Sequence, residues 1–536
     1  MKREIIAIVL FSVTIVFFSR IPYKLAEISM PSGMVFMGFI GPNQDPNSYL
    51  AWCKQAQEGK LLFEDKYTTE KQNRHFFHPY FLAVGRIAML FGINIETAYE
   101  MSRLFLGFCL LLIIYIFSIV YFGTSGDAQI KRIFAFLFAS IISGFGWVFP
   151  GSVVDKLENM FNLKPVDLWV TEGFTFLTIL IRPLFSLTQI LILLFFIFLY
   201  ISRKNRKLIY SCLSGFCLFF IGLVHPYDLV TIYLAVAIYL FLQFRFYRED
   251  IRFTLVSSLL PIVFSLPVLL YEYLLFTGNS VFSKWSETIT VSPNPLAYII
   301  GYGILLIFAV IIIPFVYNRR RDIDMLILSW VFAVAILVYM PLNFQRRLIM
   351  GIQVPLALLT VEAIFHIIKL KSIRINKIVI FSVLLIISVP SNIRYVTYSI
   401  FHAKRYYLNY NISGGDFAAL KWIDTNIPSE ATILSSFTTG LYIPGRTGNK
   451  VYVGHWDQTI DLSRKLTMVR GYYSGNMDYK ERIKFLKENG INYVYCGLFE
   501  KAICRLDLDK EKYLTLVYPV RKNTSNGDLV KLYKVE

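Results

Sequence analysis

Apolar runs of about twenty residues, parted by short polar loops, repeat along the first 395 positions. They fall at roughly 4–20, 99–122, 131–150, 174–200, 208–224, 227–245, 253–276, 295–317, 324–341, 347–368 and 377–395. Runs of this length match the hydrocarbon core of a bilayer, so the pattern predicts a polytopic α-helical membrane protein with about eleven spans. One apolar stretch, His78 to Phe91, is shorter and carries Arg86 in its middle; a helix at the membrane interface suits it better. It closes a long first loop, 21–98, in which residues 47–58 set Leu50, Trp52 and Ala56 among polar positions, as in a helix lying along a membrane surface.

Beyond residue 396 the pattern changes. Helical period over Asp416–Asn426 stops before Pro428, and Tyr479–Asn489 is amphipathic and ends at Gly490. Strand-like segments lie at Ala431–Ser435, Lys450–Gly454, Asn492–Cys496, Leu514–Val520 and Leu529–Val535. This alternation predicts a small α/β domain. The expected organisation is therefore a membrane module, 1–395, and a C-terminal domain, 396–536.

Charge orients the spans. Every second loop is basic: Lys2-Arg3, Lys131-Arg132, Arg203 to Lys207, Arg245 with Arg248 and Arg252, Arg319 to Arg321, and Lys369 with Lys371, Arg374 and Lys377. The positive-inside rule makes these loops cytoplasmic. An odd number of spans then places the N-terminus inside and residues 396–536 outside. The first run follows Lys2-Arg3 and lacks a small-residue cleavage site before Arg20-Ile21-Pro22, which reads as a retained signal anchor.

Arg346 and Arg347 break the charge pattern. They open the tenth span on the outer side, where topology gives no reason for positive charge. Two adjacent guanidiniums there call for an anion, either a lipid-linked phosphate or ordinary headgroups. Other ionisable or polar groups map to the same half of the membrane: Asp45 with Tyr49, His75 and His78 in the first loop; Glu172 and Arg182 in the fourth span; His225, Tyr227 and Asp228 in the turn between the fifth and sixth; Glu272; and Gln345. Each has a plain reading beside a functional one. Asp45 is a solvated loop acid or a base; His75 and His78 are interface residues or site residues; Arg182 snorkels or pairs internally with a group such as Glu172. Their common side describes a site open to one face, whereas a transporter places polar groups at the midplane on broken helices.

Composition narrows the classes further. The chain has 536 residues, is 56% hydrophobic and carries a net charge of +18, most of it in the basic loops, so topology explains the charge and nucleic acid is not an expected partner. Six scattered cysteines contain no CxxC pair, which supports neither a zinc site nor a redox motif. Cys496 and Cys504 are read as unrelated thiols, with pairing in an oxidising compartment as the alternative.

Taken together, an N-terminal span, a long first outer loop with an early Asp, interfacial helices, about eleven spans and an outer C-terminal domain resemble the GT-C glycosyltransferase superfamily. The strings Asp45-Pro46-Asn47-Ser48-Tyr49-Leu50-Ala51, Gln57-Glu58-Gly59 and His78-Pro79 resemble the first-loop region of bacterial members related to protein O-mannosyltransferases and the lipid A aminoarabinose transferase. His225-Pro226-Tyr227-Asp228 and Gln345-Arg346-Arg347 are similar to further segments of such proteins. The resemblance implies a GT-C fold in the bacterial inner membrane and a polyprenyl-phosphate-linked sugar as donor, with a glycan, lipid or protein acceptor. It carries over Asp45 as catalytic base; with that donor, the outer-side cluster reads as donor-phosphate ligands at Arg346, Arg347, Arg182 and His225 and as pocket residues at Tyr49, His75, His78, Glu172, Tyr227, Asp228 and Gln345. Relatives often show two adjacent acids where this chain has Gln44-Asp45. A single carboxylate does not support a divalent metal, and no cofactor is assigned. A flippase of lipid-linked saccharides and a non-catalytic subunit of an envelope-glycan assembly are the alternative readings. In the C-terminal domain, Tyr442, Tyr452, His455 and Trp456 are candidate saccharide contacts, with a strand-face packing role as the alternative for Tyr452.

The topology has a direct check. An alkaline phosphatase fused after residue 536 is expected to be active and a green fluorescent protein fusion dark; the reverse result means that the span count is off by one.

Overall fold

The computed structural model describes residues 2–125, 128–246, 251–285, 287–370, 376–405, 410–519 and 530–536. Arg248, Lys371, Arg374 and the expected strand ends Val520 and Leu529 lie outside the described residues. The chain forms two units. The first comprises 1–21, 102–272 and 289–399; the second comprises 22–101, 273–288 and 400–536. The long first loop, grouped above with the spans, thus falls in one unit with the C-terminal residues.

The first unit is helical. Among the described residues of the whole chain, seven helices are long and apolar enough to cross a membrane: Lys2–Ile28, Ile95–Phe122, Pro183–Asn205, Tyr227–Phe246, Ile251–Gly278, Gln353–Leu370 and Lys377–Arg405. The pair Pro295–Tyr302 and Ile304–Arg319, bent by 95°, makes an eighth if counted as one span. The other three expected spans are helices of 14, 17 and 16 residues, Ala128–Ile141, Leu208–Val224 and Asp322–Leu337. Each falls short of the twenty or so residues that a crossing usually takes. The tenth run also starts later than its hydropathy suggests. Residues Gln345–Ile349 form a 3₁₀ turn, and the helix begins at Gln353.

The fourth run is broken. Helix Thr175–Ile181 stops at Arg182, and Pro183 opens the next helix, Pro183–Asn205. Proline has no N–H, so the Ile179 carbonyl loses its donor four residues on. Arg103, fully buried, replaces it: Nη1 donates to Ile179 O at 2.9 Å and to Leu180 O at 3.2 Å. Gln353 repairs two more helix ends. Its Oε1 accepts from Thr175 N at 2.7 Å, and its Nε2 donates to the carbonyls of Phe138, at 3.2 Å, and Ile142. Gly144 lies against a second broken run; a Cβ there would meet Gly301 O at 2.1 Å, so only glycine permits this approach.

The second unit is built on a mixed five-stranded sheet of order β4-β3-β5-β7-β6, where β3 is Thr432–Leu434, β4 Lys450–Val451, β5 Tyr493–Cys496, β6 Leu514–Tyr518 and β7 Lys531–Val535. β3 runs parallel to β4 and β5; β7 runs antiparallel to β5 and β6. Alternate residues feed two cores. Ile433, Val451, Tyr495 and Leu532 point to one, and Leu434, Tyr452, Val494 and Tyr533 to the other. Met37, Ala51 and Tyr67 of the first loop enter the first of these cores. A two-stranded ribbon ties the same loop to the C-terminal part: β1, Met34–Phe36, pairs antiparallel with β2, Asn411–Ser413.

The helix expected to lie along a membrane surface has its side chains buried within the second unit. Gln44–Gln57 buries Asn47, Ser48, Leu50, Ala51, Trp52, Cys53, Gln55 and Ala56. Its polar residues are satisfied inside: Gln55 exchanges hydrogen bonds with the Glu64 backbone at 2.9 and 3.0 Å, and Asn47 Oδ1 accepts from Arg446 at 2.8 Å. Helix Pro79–Phe91 is present as expected, and Arg86 donates to Gly59 O at 2.8 Å. Cys496 and Cys504 are free thiols that share a hydrogen bond, so they are neighbours rather than unrelated.

Loss of the Arg103 guanidinium should be costly. Arg103→Met removes the guanidinium donor from two carbonyls, and a hydrogen bond to a charged group is worth about 1.5–3 kcal/mol. A lower thermal midpoint in detergent is expected, partly restored by Arg103→Lys; a wild-type midpoint for the Met variant overturns the account.

Candidate functional site

In the first unit the candidate residues converge on the Gln345–Ile349 turn. The turn is stitched to the segment that precedes helix Pro295–Tyr302. Arg346 N donates to Thr290 O at 3.2 Å, Thr290 N donates to Asn343 O at 2.6 Å, and Gln345 Oε1 accepts from Ser292 N at 3.1 Å. Gln345 Nε2 closes the loop on Met340 O at 2.6 Å. Gln345 is thus the residue that shapes the turn, and the two arginines are what the turn presents.

Arg346 lies over the Trp169 ring, its Cζ 4.7 Å from the centroid. Its Nη2 is 4.0 Å from Glu172 Oε1, a loose ion pair. Its Nε is buried and has no hydrogen-bond partner among the described residues. Arg347 lies over Tyr227 at 4.8 Å. The same tyrosine ring meets Phe344 at 4.9 Å and His225 at 5.4 Å. His225 Nδ1 is 2.8 Å from Asp228 Oδ2, both side chains buried. With the carboxylate ionised, this pairing makes Nδ1 the donor and leaves Nε2 for other chemistry. Glu172 is held by Thr171 Oγ1 at 3.2 Å and lies within electrostatic reach of Asp228. Arg182 is buried at the helix break, and Phe185 in the turn it caps packs edge-on against His225 at 5.5 Å. One chain of contacts therefore joins Glu172, His225, Tyr227, Asp228, Gln345, Arg346 and Arg347.

The first-loop candidates belong to the second unit. Asp45 sits half-buried in the first turn of helix Gln44–Gln57. Its charge acts on His455, an expected saccharide contact; His455 is buried, so that expectation is corrected. His455 Nδ1 accepts from Asp457 N at 3.2 Å and Gln458 N at 3.1 Å, which places the proton of the neutral ring on Nε2. Burial pushes His455 down to about 4, against the pull of Asp45 and the Gln44 backbone. Tyr442 and Tyr452 are also buried, and Trp456 alone of that group is exposed.

Tyr49 and His78 join an aromatic cluster. Tyr49 lies 5.1 Å from Phe81 and stacks on Trp52 at 6.1 Å; His78 stacks on Phe81 at 4.0 Å. His75 is exposed. The unit also holds a cavity of about 390 Å³ whose lining includes Lys54, Glu96, Lys421, Asp424 and Arg446. Lys54–Asp424 and Arg446–Glu96 are ion pairs of 2.6 and 3.3 Å. No group of three or more His, Cys, Asp or Glu residues comes together among the described residues.

The fold is the GT-C fold, as the sequence resemblance implied. The chain is similar to the oligosaccharyltransferase of Archaeoglobus fulgidus in complex with Zn and sulfate, with a TM-score of 0.54 at 12% identity over 95% of this chain and 71% of that one. It is similar to the same organism's AglB in complex with an inhibitory peptide and a dolichol-phosphate, with a TM-score of 0.53 at 11% identity over 94% and 72%. ArnT from Cupriavidus metallidurans, bound to undecaprenyl phosphate, gives a TM-score of 0.52 at 11% identity over 99% and 97%. At these identities the likeness is one of fold. No protein-family model matches the chain, and no curated protein does.

His455 gives the second unit a predicted pH response. A histidine held below its ordinary pKa is protonated more readily in the unfolded chain. The stability it contributes is full above about pH 6.5 and is lost as pH falls toward about 4. The loss amounts to about 3 kcal/mol at the acid end. His455→Gln should flatten this part of the profile when thermal midpoints are compared from pH 7 to 4; an unchanged wild-type slope in the variant sinks the assignment.

Proposed function

We propose that the protein is an inverting glycosyltransferase that moves a sugar from a polyprenyl-phosphate donor to an acceptor on the extracytoplasmic face of a bacterial inner membrane. The observation that carries this reading is the pair Arg346 and Arg347. Each rests on an aromatic face, one beside Glu172 and the other beside the His225–Asp228 pair, in a fold shared with proteins bound to dolichol-phosphate and undecaprenyl phosphate. In this reading Asp45 takes the proton of the acceptor hydroxyl or amide. The acceptor atom bonds to the anomeric carbon as the bond from that carbon to the phosphate oxygen breaks. The lipid phosphate leaves with the electron pair and is met by Arg346 and Arg347, with Arg182 and His225 assisting. Such a leaving group is already a stabilised anion, so no second carboxylate is required as acid, in contrast to a glycosidase.

The proposed topology has eleven spans, the three short helices included, with the N-terminus in the cytoplasm and residues 396–536 outside. The mixed charges and apolar wall of the 390 Å³ cavity suit an acceptor rather than a lipid donor, which supports an acceptor-orienting role for this part of the chain.

The experiment is transfer from radiolabelled polyprenyl-phosphate sugars into a membrane extract by purified protein. Asp45→Asn is expected to retain donor binding and lose transfer by about 10²–10⁴-fold. Arg346→Ala and Arg347→Ala should each weaken donor use by roughly 10- to 150-fold, the cost of one charge-assisted hydrogen bond, with Lys rescuing only in part because it lacks the planar fork. Wild-type transfer by the Asn variant removes Asp45 from the mechanism. Full activity of both Lys variants with unchanged donor affinity removes the phosphate role.

A further inference from the structure

A second cavity in the first unit shares no residue with the arginine turn. It measures about 440 Å³ and is lined by four cations, Lys131, Arg319, Lys369 and Lys377, against one carboxylate, Glu362. That carboxylate is already engaged. Arg319 reaches it at 3.1 Å, Lys131 at 3.3 Å and Arg321 at 3.7 Å. Lys369 and Lys377 have no carboxylate partner among the described residues. Lys131 and Lys377 each lie 5.0 Å from the centre of the same Phe365 ring, so the two ammonium groups are within about 10 Å of each other. The ring holds both cations without consuming their N–H donors. Phe315 and Ile368 add apolar wall to the same cavity.

Excess positive charge and uncommitted ammonium donors around a half-open cavity describe a receptor for an anion with several acceptor oxygens. We propose that this cavity binds a phosphate group, either the headgroup of an anionic phospholipid or a free phosphate. Basic pockets between membrane helices accept such headgroups, and the apolar wall suits the carbons next to a lipid phosphate. The proposal is independent of sugar transfer and of Asp45, Arg346 and Arg347.

The test uses the full chain in detergent, read by native mass spectrometry with cardiolipin, or with phosphatidylcholine of the same acyl chains, as probes. Wild type is expected to retain cardiolipin over phosphatidylcholine by roughly tenfold or more, the effect of one charge-assisted hydrogen bond to an anion. Retention that persists in millimolar inorganic phosphate identifies the lipid as the source. Displacement of the lipid by inorganic phosphate identifies the free anion as a ligand of the same site. The double variant Lys369→Gln/Lys377→Gln should lose the preference, and Lys369→Arg/Lys377→Arg should keep it. Lys204→Gln/Lys207→Gln, on a different basic loop, is the control. The proposal is overturned if wild type shows neither the lipid preference nor phosphate binding, if the Gln pair binds like wild type, or if the control loses as much as the Gln pair. Should the Gln pair fail to fold, the wild-type comparison between lipid classes decides alone.

Discussion

The helical unit depends on one constraint: a helix that breaks inside a bilayer must have its freed carbonyls satisfied by other parts of the protein. Water is not at hand to do it, and each orphaned group costs several kcal/mol in hydrocarbon. Pro183 creates such a break, and the buried guanidinium of Arg103 answers it from another helix. Gln353 does the same for the ends of two helices, and Asp167 accepts from the backbones of Gly144 and Gly146 at 3.1 and 3.0 Å. These polar side chains are expensive to bury and would be a liability in a continuous span. They are tolerated because irregular backbone here is what places Glu172, Arg182 and the Gln345–Ile349 turn inside the unit rather than on a helix face.

Much of this was legible in the chain. The positions of the seven long apolar helices followed from hydropathy, because length and apolarity are local properties. The C-terminal strands and two of its helices followed from period and turn residues, for the same reason. Arg346 and Arg347 stood out because charge and topology disagreed there, and the structure gathers Glu172, His225, Tyr227, Asp228 and Gln345 around them. Helices Phe437–Thr447 and Leu462–Ser474 were missed. The first carries Pro444 in its interior, and the second is too polar to display an apolar stripe.

What the chain concealed is long-range. Nothing local ties the first loop to residues 400–536, yet Asn43 reaches Tyr442 and Arg446 reaches Asn47, each 399 positions away. Those contacts turn an amphipathic-looking helix into a buried one. They also put His455 under the charge of Asp45, an arrangement no spacing rule anticipates. The start of the tenth run was misjudged for a related reason. Hydropathy does not separate a 3₁₀ turn from a helix when the turn's polar groups are met by residues some fifty positions away, as Gln345 is by Ser292, 53 residues apart.

The arginines of the helical unit divide by how their charge is met, and the division bears on function. Arg319 and Arg321 each give two N–H groups to Asp324, at 2.8–2.9 Å, and Arg132 gives two to Glu4 at 3.0 and 2.8 Å. A guanidinium spent in this way against a carboxylate has few donors left and serves the fold. Arg346 and Arg347 each lie over a ring face, of Trp169 and Tyr227, and a ring stabilises a cation without itself taking up an N–H donor. Arg346 has only a carboxylate oxygen at 4.0 Å as ionic company, and its buried Nε donates to nothing among the described residues. A cation held over an aromatic ring with a donor in reserve, as Arg346 is, suits a ligand that arrives and leaves. A phosphate departing from a sugar is such a ligand, because its charge grows as the bond breaks and the waiting donors bind it more tightly in the transition state than in the ground state.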